Sequence, residues 1–131
     1  MRAMTTAHLC IAIAIGLPYL GTAIAKAGGR GYGPRQNKSP RDFLATLEGF
    51  RKRAHFAQLN GFEVTPAFAA AVLVAQQVGK APQATIDQLA VAFVVSRVLY
   101  TVCFLADRAH LRSLVWTAGM ALIVALFVAS A

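Results

Sequence analysis

Apolar residues fall into four long runs separated by polar connections. The runs cover about residues 5–25, 57–78, 85–106 and 111–130. A helix needs about 20 apolar residues to cross roughly 30 Å of hydrocarbon, and each run reaches that length. Because a bilayer offers no water to backbone polar groups, each run is predicted to be helical. The pattern therefore predicts an all-α integral membrane protein, a four-helix bundle forming a single domain over residues 1–131.

The composition agrees with a membrane solvent. Of the 131 residues, 57% are apolar and only 14% are charged. A soluble domain of this size needs a more polar surface, so lipid is predicted to cover part of the apolar residues.

The first run has a second interpretation as a cleavable signal peptide. Arg2 gives it a basic start, and Ala23 and Ala25 form a small-residue pattern typical of a cleavage site. The apolar stretch from Ala7 to Ala25 is long for a signal core, so we interpret it as a retained span. Cleavage would leave three spans.

The net charge of +8 is concentrated on one side of this topology. Basic residues after span one are Lys26, Arg30, Arg35, Lys38, Arg41, Arg51, Lys52 and Arg53; Arg108 and Arg112 precede span four; Arg2 and Lys80 lie opposite. Loops rich in Lys and Arg face the cytoplasm. The basic loop 26–50 is therefore predicted to be cytoplasmic and both termini periplasmic, in a bacterial inner membrane. This distribution argues against a nucleic-acid partner.

Two helix starts are predicted from capping signals. Ser39 suits an N-cap, Pro40 the first helical position, and Asp42 follows three residues after Ser39. From there the helix is predicted to run without a break to about residue 78, with an amphipathic first part near the lipid headgroups. Span three is predicted to open with a capping box of Thr85 and Gln88.

Polar residues inside the spans are the candidates for function. On span two they are Arg53, Asn60 and Glu63, on span three Arg97 and Tyr100, and at the start of span four Arg112. Their spacings put the first three on one helix face and the next two on another. The predicted topology brings both faces to the same depth in the inner leaflet.

Glu63 and Arg97 lie where charge is costly. A charged side chain at mid-membrane costs at least about 2.5 kcal/mol, so these two are expected to pair or to face a wet cavity. A structural ion pair and a ligand site are both open at this point. Arg53 and Arg112 have a further interpretation, as helix-end arginines that reach the headgroups. The three histidines share no ligand spacing, so no metal site is predicted.

Two sequence blocks resemble the MAPEG family, membrane-associated proteins in eicosanoid and glutathione metabolism. The block from Arg53 to Phe68 contains Asn60, Glu63 and Pro66 and resembles the family's Asn-x-x-Glu-x-x-Pro signature. A second block resembles its arginine–tyrosine face and the arginine that opens the last helix: Arg97, Tyr100, and Leu111-Arg112-Ser113. The resemblance covers about residues 53–119.

The resemblance implies a homotrimer that holds glutathione between subunits near the cytoplasmic face. The residues implied to contact glutathione are Arg53, Asn60, Glu63, Arg97 and Tyr100. Arg112 is implied to lie beside the sulfur and stabilise the thiolate, with Ser113 donating a further hydrogen bond. The implied activity is a glutathione-dependent transferase or peroxidase acting on lipophilic electrophiles.

Two positions depart from the pattern of familiar eukaryotic members. Phe56 stands where they have an arginine, and Phe104 stands where many relatives have a tyrosine. These departures keep open a non-catalytic trimeric membrane protein of the same fold. A small multidrug exporter is a second alternative because of the four spans and the carboxylate of Glu63, although such exporters carry their glutamate in span one and here that span has no acid.

Overall fold

A computed structural model describes residues 3–28 and 31–131, and within those ranges the chain is all-α. The helices are α1 (Thr6–Lys26), α2 (Pro40–Ala45), α3 (Gly49–Val78), α4 (Gln83–Leu105) and α5 (Ala109–Ser130), with a 3₁₀ turn at Gln36–Lys38. Four of them, α1, α3, α4 and α5, are long and apolar enough to cross a membrane. The predicted all-α fold with four spanning helices is confirmed.

The four long helices pack as two antiparallel hairpins. One is formed by α1 and α3 and the other by α4 and α5, and α4 also packs against α1 and α3. The α1–α3 and α4–α5 connections lie at the same end of the bundle, which we call the basic end. The opposite end, with the α3–α4 connection, is called the far end.

The prediction of one unbroken helix from Ser39 to residue 78 is wrong. A short helix α2 ends at Ala45, and α3 begins at Gly49, whose positive φ of 59° favours glycine. Ser39 and Pro40 do occupy the predicted N-cap and first helical positions. The Ser39 hydroxyl, however, donates to the Asp42 carboxylate and caps no backbone N–H.

The predicted capping box of span three is also wrong. Helix α4 begins two residues before Thr85, at Gln83, and its N-cap is Pro82, which has no side-chain cap. Asp87 instead caps a different helix, because its Oδ1 accepts from the backbone N–H of Ala7 at 2.9 Å. The first turn of a helix carries unpaired N–H groups, so this bond joins the far ends of α1 and α4.

Two arginines on α3 cap the C-termini of neighbouring helices at the basic end. Arg51 Nε donates to the Ala25 carbonyl at 2.8 Å, in the last turn of α1. Arg53 Nε donates to the Leu105 carbonyl at 3.3 Å, at the last residue of α4. Basic side chains at helix C-termini satisfy unpaired carbonyls and complement the helix dipole. The start of α3 is therefore tied to both neighbouring helices.

The α1–α3 contact depends on small residues and on a proline. Pro18 has no N–H, so the Ala14 carbonyl loses its helical partner. The Thr65 hydroxyl of α3 lies 3.4 Å from that carbonyl, but it donates chiefly to the Gly61 carbonyl of its own helix at 2.6 Å. A Cβ on Gly61 would lie 2.6 Å from Cγ of Pro18. Membrane helices that pack this closely need small residues at the crossing.

We expect Gly61→Ala to lower the melting temperature of the protein in detergent, measured by circular dichroism. The added methyl would overlap the rigid Pro18 ring, and overpacking of this kind costs about 1–3 kcal/mol. Gly16→Ala is the control, because a Cβ there meets nothing within 4 Å. Equal melting temperatures for Gly61→Ala and the parent would contradict the close approach of α1 and α3.

Candidate functional site

A cleft of about 660 Å³ opens between α3, α4 and α5 toward the basic end. Its lining residues are Phe56, Asn60, Tyr100, Phe104, Arg112, Ser113, Trp116 and Thr117. Polar groups and aromatic rings therefore share one cavity near the basic end of three membrane helices.

Helix direction explains why distant residues meet here. Helix α3 starts at the basic end, α4 finishes there and α5 starts there, so Asn60, Tyr100 and Arg112 lie at similar depth. Four of the predicted site residues line the cleft: Asn60, Tyr100, Arg112 and Ser113.

Arg97 lies behind the cleft wall and does not line the cleft. Its side chain is only 6% exposed, and its guanidinium carbon lies 4.2 Å from the centre of the Tyr100 ring. Its Nη2 donates to Asn60 Oδ1 at 2.9 Å, while Nη1 is buried without a hydrogen-bond partner among the described residues. Arg97 thus holds two lining residues, Asn60 and Tyr100.

A direct ion pair of Glu63 with Arg97, one of the two alternatives that the sequence left open, does not form. Among the described residues the one ion pair within 4.0 Å joins Lys52 and Glu48. Asn60 stands between the two charges, accepting from Arg97 through Oδ1 and donating from Nδ2 to Glu63 Oε2 at a long 3.5 Å. Glu63 itself is exposed on the outer surface of α3.

Arg53, the remaining predicted contact, also lies off the cleft. Its Nε is bonded to the last carbonyl of α4, as described above. The spacing of Arg53, Asn60 and Glu63 correctly puts them along one side of α3, but the side is broad enough that only Asn60 reaches the cavity.

An aromatic wall faces the polar groups. Phe56 and Phe104, the two positions that depart from familiar relatives, contact each other with ring centres 6.4 Å apart. Phe104 also packs edge-on against Tyr100 at 5.7 Å, and the Arg112 guanidinium lies 4.5 Å from the Phe104 ring centre. Such a cation–π contact fixes the position of Arg112 without a hydroxyl group.

Sequence reasoning missed Trp116 and Thr117 as cleft residues. A signal was present, since Trp116 follows Arg112 by four residues and side chains at that spacing share a helix face. The signal is weak, because a tryptophan near a helix start is also common at membrane interfaces.

The chemistry available in the cleft is that of anion recognition. Arg112 supplies a permanent positive charge, Asn60 Nδ2 a donor, and Tyr100 and Ser113 supply hydroxyls. The aromatic wall beside them suits an apolar molecule. The cleft can therefore hold a ligand that is anionic or rich in acceptors at one end together with a lipophilic one.

Fold and cleft together define a helical membrane protein with a polar site between its spans. The family model of the MAPEG family matches residues 6–131, nearly the whole chain. The chain therefore belongs to the MAPEG family, as the motif resemblance predicted. A search of curated proteins finds no match.

We expect Asn60→Leu to destabilise the protein by about 1–3 kcal/mol or more, because it removes the one acceptor bonded to the buried Arg97 side chain. Adding Arg97→Met to that variant is expected to restore most of the lost stability, since no buried charge is then left uncompensated. Thermal unfolding of both variants and of the parent measures the effect. If the double variant is as unstable as Asn60→Leu, the bond between the two residues does not carry this energy.

Proposed function

We propose that the protein is a glutathione-dependent transferase or peroxidase that acts on lipophilic electrophiles or hydroperoxides. The observation that carries the proposal is the meeting of Arg112 and Ser113 with Asn60 and Tyr100 in one cleft. Membership of the MAPEG family supports glutathione as the cosubstrate.

The proposed chemistry is activation of a thiol. A free thiol has a pKa near about 8.5 and is mostly protonated at neutral pH, while only the thiolate attacks an electrophile. The Arg112 guanidinium beside the sulfur favours the anion, and the Ser113 hydroxyl adds a hydrogen bond. Held against Phe104, Arg112 loses little conformational freedom when the thiolate forms.

Binding of the tripeptide is assigned to the other polar groups. Asn60 and Tyr100 are proposed to contact its amide and carboxylate groups, with Arg97 acting through both of them. The electrophile is proposed to enter from lipid along the wall of Phe56, Phe104 and Trp116. An apolar substrate already dissolved in the bilayer needs no passage through water.

We further propose that the active form is a homotrimer. Glu63 and Arg53, both implied to contact glutathione, lie outside the cleft of a single chain. An exposed carboxylate on a membrane helix such as that of Glu63 costs at least about 2.5 kcal/mol in hydrocarbon. A neighbouring copy that covers this side of α3 removes the cost and places the carboxylate at an intersubunit site.

We expect glutathione to give the ultraviolet absorbance of a bound thiolate when added to the purified protein, and Arg112→Ala to abolish this signal. The control is Arg108→Ala, which removes the same charge one turn earlier from an exposed residue outside the cleft. It is expected to retain the signal. Equal signals from the parent and from Arg112→Ala would refute the role of Arg112.

A second candidate is a non-catalytic membrane protein of the same fold. The contact between Phe56 and Phe104 favours it, because both residues replace polar side chains of relatives and give one wall of the cleft an apolar surface. A melting temperature that stays constant across a glutathione titration, together with no thiolate absorbance, would support this candidate over the enzyme.

A further inference from the structure

Residues 31–48, between α1 and α3, are folded against the bundle, and we call them the basic cap. Its Leu44 and Leu47 are buried in a small core with Ala25 and Ala54 from the two long helices. Tyr32 packs edge-on against Phe43, with ring centres 5.4 Å apart. These contacts give the cap a fixed surface.

Three cations on this surface lack acidic partners. Arg35, Lys38 and Arg41 are all exposed and follow one another at intervals of three residues. Residues three apart in a 3₁₀ turn lie on the same face, which aligns Arg35 with Lys38. No carboxylate of the described residues lies within 4.0 Å of them. The two acids of the cap are engaged elsewhere, Asp42 by the Ser39 hydroxyl and Glu48 by Lys52.

A shallow groove of about 310 Å³ lies beside Arg35, the one of the three cations that lines it. Its lining residues are Arg35, Gln36, Ser39, Asp42, Phe43 and Thr46. The side-chain carbonyl oxygen of Gln36, Oε1, already accepts from the Gly33 N–H at 3.0 Å. The side-chain NH₂ group of Gln36 is therefore left as a donor at the groove. The groove thus combines a guanidinium and an amide donor with one carboxylate and an aromatic floor.

We expect the cap to lie at the level of the lipid headgroups. It starts a few residues after α1 ends at Lys26 and finishes where α3 begins at Gly49, so it spans the boundary at which two membrane helices leave the hydrocarbon. Phe50, just after the cap, is 50% exposed. An exposed aromatic ring beside exposed cations is typical of a surface in contact with the interface of a bilayer.

We propose that the groove and the three cations form a site for an anionic phospholipid with a hydroxylated headgroup, of the phosphatidylglycerol type. Arg35 and the Gln36 side-chain amide donate to the phosphate, and Lys38 and Arg41, three and six residues further along the chain, add electrostatic attraction. With one carboxylate, Asp42, against three cations, the site keeps a positive charge that favours an anionic lipid over a zwitterionic one. The Asp42 carboxylate accepts from a headgroup hydroxyl and repels the second charge of a phosphomonoester.

The test uses the full-length protein in detergent and native mass spectrometry. Phosphatidylglycerol or phosphatidylcholine with matched acyl chains is titrated into the parent and into the triple variant Arg35→Gln, Lys38→Gln, Arg41→Gln. Detergent offers no charged bilayer surface, so only cations that contact the bound lipid add to its affinity. At roughly fivefold for each such cation, the triple variant should lose about a hundredfold for phosphatidylglycerol only. Arg35→Gln alone is compared with Arg108→Gln, which removes an equal charge from the other connection at the basic end.

The proposal predicts a preference for phosphatidylglycerol in the parent, lost in the triple variant, weakened by Arg35→Gln and retained by Arg108→Gln. It is overturned if the triple variant keeps the parent's preference. Equal losses from Arg35→Gln and Arg108→Gln would also overturn it, since they would assign the preference to overall charge. Saturation of the site by glycerol phosphate at the lipid's concentration would show a free-anion site instead. Thiolate formation with glutathione is a separate readout, so this result is independent of the proposed function.

Discussion

Hydrocarbon offers no hydrogen bonds, and the rest of this structure depends on that constraint. Each long helix that ends near the bilayer boundary leaves backbone groups that only other parts of the protein or the interface can satisfy. Here the partners come from neighbouring helices: Arg51 and Arg53 at the basic end, Asp87 at the far end. Near Pro18, the Thr65 hydroxyl approaches the freed carbonyl of Ala14 but donates chiefly within α3. Some polar residues that resemble candidates for catalysis or binding thus serve to hold the helices of the bundle together.

The cleft is built on this framework. Arg97 is buried deeply enough that it is tolerated only by bonding to Asn60 and packing on Tyr100. The same contacts fix the two side chains that face the cavity. Arg112, in contrast, lies on the open side of the cleft and is held by an aromatic ring. Arg97 therefore positions residues of the cleft wall, whereas Arg112 faces the cavity where a ligand would bind.

The sequence predicted the fold well because the length of an apolar run can be counted directly along the chain. All four spanning helices follow from it. The break at residues 46–48 was missed, since it depends on Leu44 and Leu47 packing against Ala25 of α1 and Ala54 of α3. The bond of Asp87 to Ala7 joins residues 80 positions apart, and no local pattern encodes it.

For the site, periodicity identified the correct sides of the helices but could not rank depth within them. Arg53, Asn60 and Glu63 share a side of α3, yet one bonds to α4, one lines the cleft and one is exposed. Arg97 was expected to pair or to face a wet cavity, and it donates to the amide of Asn60, which stands between it and Glu63. Whether a side chain enters the cleft depends on its length and on how many residues separate it from the cavity. Both depend on the packing of the helices, which helical periodicity does not describe.

The distribution of side-chain hydrogen bonds also separates the bundle into a rigid part and a movable one. Bonds between side chains or from side chain to backbone tie α1, α3 and α4 together at both ends. Within residues 3–28 and 31–131, the side-chain hydrogen bonds of α5 itself stay inside that helix. It packs on α3 and on α4, where Gly119 meets Ser96, and only at its far end does Lys80 donate to the Ala131 carbonyl. A sideways shift of the basic end of α5 would therefore change the width of the cleft, and carry Arg112 with it, without breaking the hydrogen bonds that join α1, α3 and α4.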